Sequence, residues 1–186
     1  MSLSMLGLLL PVGALALIVL VYNRLAALSR RCEQAMADID VQLRLRHDLI
    51  PALVETVRGF VAHERGLFET IAAARARAIR SADPAERMQA ENALTSGLTR
   101  LVALAEANPS SQASSHFADL RGELVDVNNK IAAARRFFNL AVSEYNATLD
   151  QFPGNLIGRR FGLTARRGFD LGIERVFLED APAVKF

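Results

Sequence analysis

The stretch that decides how this chain folds is DIDVQLRLRHDLIPALVETV, Asp38 to Val57. Asp38, Asp40, Asp48, His47, Arg44 and Arg46 crowd a segment with helical spacing, and Pro51 interrupts it. Its acids read poorly as a catalytic pair. Helix neighbours two apart differ by about 200°, so Asp38 and Asp40 point in nearly opposite directions. Asp40, Arg44 and Asp48 instead suit an i, i+4 ladder on a solvated face, worth a few tenths of a kcal/mol per exposed pair. The apolar residues are less ordinary. Ile39 and Leu43 form one stripe, and Val41 and Leu45 form a second about 200° round the helix. An outer helix of a monomeric bundle needs one stripe. Two imply burial on both sides, in a helix central to its own bundle or one shared with another copy of the chain. The expected interface residues are Asp38, Ile39, Val41, Leu43 and Leu45, with the homo-oligomer preferred.

Upstream, no side chain from Leu3 to Val21 is charged. That run approaches the ~20 residues a helix needs to cross a bilayer. No basic residue precedes it and no small-x-small site closes it, which argues against a cleaved signal peptide. A retained transmembrane helix is the expectation. Arg24, Arg30 and Arg31 follow the run, so the positive-inside rule places residues 24–186 in the cytoplasm and the N-terminus outside. With no Gly or Pro between Gly13 and Pro51, the helix should continue unbroken for about 40 Å beyond the membrane. Pro51 disfavours helical angles at Ile50 and clashes one turn back. The preferred reading ends the helix there, with Asp48 capping the next; a mere kink is the alternative.

Downstream signals are all helical. Leu53, Val57, Phe60, Val61, Leu67, Phe68 and Ile71 form a stripe expected to end near Arg80. Asp83-Pro84-Ala85-Glu86 supplies an N-cap, a first-turn proline and an acid. The helix it starts carries Leu94, Leu98, Leu101 and Val102 until Asn108-Pro109. Ser114 or Ser115 caps a fourth, whose residues Phe117, Leu120, Leu124, Val127, Ile131, Ala134, Phe138, Ala141 and Tyr145 recur by threes and fours as in coiled coils. Pro153-Gly154 closes it. The expected fold is all-α: a transmembrane helix (1–23), a cytoplasmic antiparallel bundle of about four long helices (24–151) and an irregular basic, aromatic tail (152–186).

The chain has 186 residues and a formal net charge of +2, too small to argue for nucleic acid. Its single cysteine, Cys32, excludes an internal disulfide and a cysteine metal cluster. His63-Glu64 begins like a zinc-protease motif, but Leu67 stands where the second histidine belongs. His47, His63 and His116 have no ligand spacing and read as surface or loop residues. No phosphate loop, dinucleotide fingerprint or nucleophile elbow occurs. No cofactor and no enzyme activity are therefore expected. Two polar clusters remain. Asn128, Asn129, Arg135, Arg136 and Asn139 flank the fourth helix's stripe and suit an anionic ligand or simple structural pairing. Arg159, Arg160, Arg166 and Arg167 lie in an acid-free tail segment. That segment would meet the inner leaflet if four helices alternate, or pack back on the bundle.

DIDVQLRLRHDLIPALVETVRGFVAHE, ARARA, LVALAEANP, NNKIAAARRFFNLAVSEYN, FPGNLIGRRFGL and the final PAVKF, in this order, resemble the LemA family over nearly the whole chain. Met36 stands where that family commonly has an aromatic, and Leu45 where it commonly has a basic residue. The resemblance implies one N-terminal membrane helix in the bacterial inner membrane and a cytoplasmic bundle of long helices. It implies no established activity or cofactor. Some relatives belong to the magnetosome system, and the resemblance points to other membrane proteins, including those of quality control, as neighbours. The function expected from all this is a membrane-anchored, self-associating scaffold. The alternative is a tethered sensor or adaptor for an anionic ligand or partner.

Overall fold

The computed structural model describes residues 3–61, 63–109 and 114–169, with backbone alone at residues 3–11 and 14. The described residues form five helices and no strand: α1 (Leu3–Arg58), α2 (Arg65–Arg80), α3 (Pro84–Glu106), α4 (Ser115–Asp150) and α5 (Gly154–Phe161). The chain divides into two compact units, residues 40–131 and residues 1–39 with 132–186. Both α1 and α4 contribute a segment to each.

Pro51 does not end the first helix. α1 runs through it to Arg58, and α2 begins at Arg65. A helical proline leaves the carbonyl four residues back without its N–H partner. Here that carbonyl belongs to His47, and Arg75 Nε of α2 donates to it at 2.8 Å. An orphaned backbone acceptor is thereby satisfied by a side chain. Burial of Ile50, Leu53 and Val57 in the core with Leu67, Phe68 and Ile71 of α2 holds the segment helical.

In unit 40–131, Ile50, Leu53, Val57, Leu67, Phe68, Ile71, Leu94, Leu98, Leu101, Phe117, Leu120 and Leu124 make one continuous apolar core. The start of α3 follows its sequence signals: Asp83 Oδ1 accepts from Ala85 N at 3.1 Å, with Pro84 in the first turn. Asn108 ends it, its side chain donating to Phe60 O at 3.0 Å. α2 and α3 approach closely because Gly97 has no side chain; a Cβ there would come within 2.9 Å of Ile71 Cγ1. Ser114 Oγ caps α4 through Phe117 N at 3.2 Å.

In the other unit, Leu25, Leu28 and Cys32 of α1 pack with Ala141, Val142, Tyr145 and Leu149 of α4 and Ile157 of α5. Burial pushes the Cys32 thiol's pKa up from its ordinary value. The tail begins with regular structure, contrary to expectation. Pro153-Gly154 opens the short helix α5, which buries Gly154, Ile157 and Gly158 and ends on the left-handed Gly162 at φ 69°. A glycine is needed at 154, where a Cβ would collide with the backbone carbonyl of Thr148 at the end of α4.

Among the described residues, no helix is long and apolar enough to cross a membrane. The run Leu3–Val21 lies partly outside the described side chains, which cover Val12, Gly13 and residues 15–21 of it. Val12, Leu15, Leu17, Ile18, Val19 and Leu20 are all exposed. The terminal PAVKF and most of the PSSQASS loop also lie outside the described residues.

Candidate functional site

The buried stripe of α1 recurs as Leu25, Leu28, Cys32, Ala35, Ile39, Leu43, Arg46, Ile50, Leu53 and Val57. Its steps of three and four put Arg46 at a core position. α3 repeats the pattern with Glu91, Leu94, Leu98, Leu101 and Ala105. One charge of each sign thus occupies a stripe, and the two meet. Arg46 is 3 % exposed, Glu91 2 % and His47 5 %. Arg46 Nη2 pairs with Glu91 Oε2, and Nη1 donates to Thr95 Oγ1 at 3.1 Å. His47 Nε2 lies 2.9 Å from Glu91 Oε1; an ionised carboxylate only accepts, so the imidazole donates.

His47 is therefore not the surface histidine its spacing suggested. It sits one residue beyond the stripe position of Arg46 and follows it inward. Burial works to raise the Glu91 pKa, but the hydrogen bond from His47 and the charge of Arg46 outweigh it. The carboxyl is held below its ordinary range. Arg75, through the His47 carbonyl, ties α2 to the same cluster.

A cavity of about 330 Å³ adjoins Arg46, lined also by Thr95, Thr99, Arg121, Val125 and Asn128. Arg46 Nε is buried without a hydrogen-bond partner among the described residues. A larger cleft of about 620 Å³ lies by Pro51, between Ile50, Val54, Phe68 and Arg65. Among the described residues, no three His, Cys, Asp or Glu side chains group in a way that could hold a metal ion.

The residues singled out along α4 do not converge on one site. Asn128 borders the cavity beside Arg46, and Asn129 and Arg136 are exposed. Asn139 is occupied by the chain's own tail: its Nδ2 donates to Phe169 O at 3.1 Å, and its Oδ1 accepts from Phe169 N at 2.8 Å. Asn146 repeats the exchange with Arg166, at 2.8 Å and 2.9 Å. Tyr145 Oη donates to Thr164 O at 3.1 Å. Two side-chain amides two helical turns apart thus clasp an extended segment as a neighbouring strand would. Arg135 stacks over the Phe169 ring, 5.9 Å from its centre.

The tail arginines divide. Arg166 reaches Ser29 Oγ and Glu33 Oε1, each at 2.8 Å, and packs over Tyr145. Arg159, Arg160 and Arg167 are exposed. In the Asp38–Val57 stretch, Ile39 and Leu43 are buried while Asp38, Val41 and Leu45 are exposed, so the second apolar stripe faces outward. The expected Asp40–Arg44–Asp48 ladder gives way to a longer-range contact: Asp40 accepts from Arg87 of α3 at 2.7 Å.

The sequence model of the LemA family matches residues 35–186, most of the chain. The chain belongs to the LemA family. No curated protein sequence matches it. The LemA match takes in Arg46, His47, Glu91 and both clasping asparagines, and it begins after the apolar run that opens α1. The LemA resemblance read from the sequence motifs agrees with this assignment.

Proposed function

We propose that this LemA-family chain is a non-enzymatic, membrane-anchored, self-associating scaffold that organises partners or membrane at the cytoplasmic face. The observation that carries the reading is the composition and course of α1. Its first 19 residues hold no charge, and the helix continues unbroken to Arg58. Where side chains are described in that run, from Val12 to Leu20, the large apolar ones are exposed rather than packed. Such a surface suits lipid. Arg24 and Arg30, exposed just beyond it, support an inner-membrane, single-pass orientation with the N-terminus outside.

Self-association rests on the outward stripe. Val41 and Leu45 lie exposed on α1, flanked by Asp38, and offer an apolar strip to a second copy or another membrane protein. Alkaline carbonate extraction of cell membranes tests the anchor: the chain should stay in the pellet, and a version lacking residues 3–21 should be released. Release of the full chain overturns the anchor.

A tethered sensor or adaptor is the second reading, and the cavity beside Arg46 favours it. An anion entering there would meet the unpartnered Nε and the Thr95, Thr99 and Asn128 side chains. Thermal-shift screening with anionic metabolites would support it through ligand-specific stabilisation that Asn128→Ala abolishes. Equal shifts in both proteins count against it.

A further inference from the structure

Tyr22 directly follows the uncharged run Leu3–Val21 of α1, and its ring lies 4.8 Å from that of Phe161, the last residue of α5. This contact sets α5 beside α1 at the level where the apolar surface stops; Leu20 is only about 3 Å further along the axis. α5 is itself two-faced. Ile157, Gly154 and Gly158 pack inward, while Leu156 is 59 % exposed, Phe161 52 %, and Phe152, just before the helix, 76 %. Arg159 and Arg160 are exposed beside them, and no acid occurs from Phe152 to Phe169. Large apolar side chains next to arginines are the composition of helices that lie in the interface of an anionic leaflet.

We infer that α5 is a lipid-surface seat: it lies in the headgroup region of an anionic leaflet, with Phe152, Leu156 and Phe161 at the acyl boundary and Arg159 and Arg160 on the lipid phosphates. The inference rests on the anchor reading of α1 and adds a second, reversible contact with the same leaflet. Arg166 takes no part, since Glu33 and Ser29 hold it. The clasp of Asn139, Asn146 and Tyr145 on residues 164–169 pins the chain that follows α5 to α4. The C-terminal end of the seat is thereby held twice, by Tyr22 against Phe161 and by the clasp on the segment that follows, while Gly154 at its start packs against Thr148 and Leu149 of α4. α4 leads away from this level: Glu144 and Phe137 meet Arg31 at 2.7 Å and 5.3 Å, nine residues, or about 14 Å, beyond Tyr22.

The chain contains no Trp, so one introduced indole reports alone. Leu17→Trp, Leu156→Trp and Leu140→Trp replace exposed leucines. Each full-length variant is reconstituted in phosphatidylcholine vesicles with brominated acyl chains, with and without phosphatidylglycerol. The expected result is quenching by bromolipid at positions 17 and 156, with acrylamide quenching confined to position 140. Emission from position 156 should shift further to the blue when phosphatidylglycerol is present. Arg159→Glu with Arg160→Glu should abolish that added shift. If position 17 is quenched by bromolipid while position 156 is quenched only by acrylamide, the seat is wrong and the anchor stands. If position 17 also escapes bromolipid, both fall.

Discussion

The two units hold themselves together in opposite ways. Residues 40–131 enclose a charged cluster, Arg46, Glu91 and His47, within an apolar core built from four helices. The unit of residues 1–39 and 132–186 places its polar contacts at the rim, where amides on α4 grip the backbone of an extended tail. The difference concerns what happens when a partner is lost. A buried ion left alone has no water to turn to, so its loss is costly. A half-exposed backbone released from an asparagine finds water at once, and only the net value of the bond is lost. The first arrangement makes a unit that is intact or open. The second makes a tail that can be freed locally.

The largest effect is therefore expected at Glu91. Glu91→Ala strands Arg46 and should cost about 3–5 kcal/mol in chemical denaturation, as for other broken buried pairs. Joint replacement of Arg46 by Met and Glu91 by Leu should cost far less than the single change. The pH dependence follows from the lowered Glu91 pKa. A depressed carboxyl stabilises the fold above the ordinary carboxylate range, and that contribution is lost as pH falls through the folded value. Glu91→Gln should flatten the acid limb of the stability curve. An acid limb that remains as steep as in the parent would place the titrating group elsewhere.

A smaller effect separates cause from coincidence at Pro51. Arg75→Ala uncovers the His47 carbonyl and should cost about 1–2 kcal/mol. In a Pro51→Ala background the N–H at 51 can bond that carbonyl directly, so the same Arg75 change should cost less than half as much. Equal costs in both backgrounds would show that Arg75 acts through packing, and the cycle measures this directly.

The smallest effect is expected in the other unit. Asn146→Ala removes both bonds to Arg166 and should cost about 1 kcal/mol. Hydrogen exchange should rise over residues 163–169 and stay unchanged in α2 and α3. Exchange that rises in α2 and α3 too would erase the contrast between the units.

Much of this fold is legible in the sequence, for local reasons. Asp83-Pro84 and Ser114 are caps whose partners lie two or three residues away. The α4 stripe from Phe117 to Tyr145 is a repeat that packing then uses. What escapes prediction depends on distant partners. Pro51 reads as a break because nothing nearby discloses that Arg75, 24 residues on, covers the orphaned carbonyl. Pro153-Gly154 does close α4, but nothing nearby discloses the helix α5 that follows, packed where Gly154 meets α4's end. The charged cluster was open to discovery, because Arg46 and Glu91 each occupy a stripe position; charges are mostly exposed unless paired, and the pairing is not local. Asn139 and Asn146 carry no such mark, since their partner is extended chain without a repeat.

The outward stripe bears on the central claim, self-association of an anchored helix. Native mass spectrometry of the full chain, released from its own membrane in lipid nanodiscs, is the most direct measurement. The account predicts a multimer that Val41→Asp with Leu45→Asp reduces to single copies, while helicity and thermal stability are retained. A parent protein that is strictly monomeric at micromolar concentration in its own lipid would contradict it.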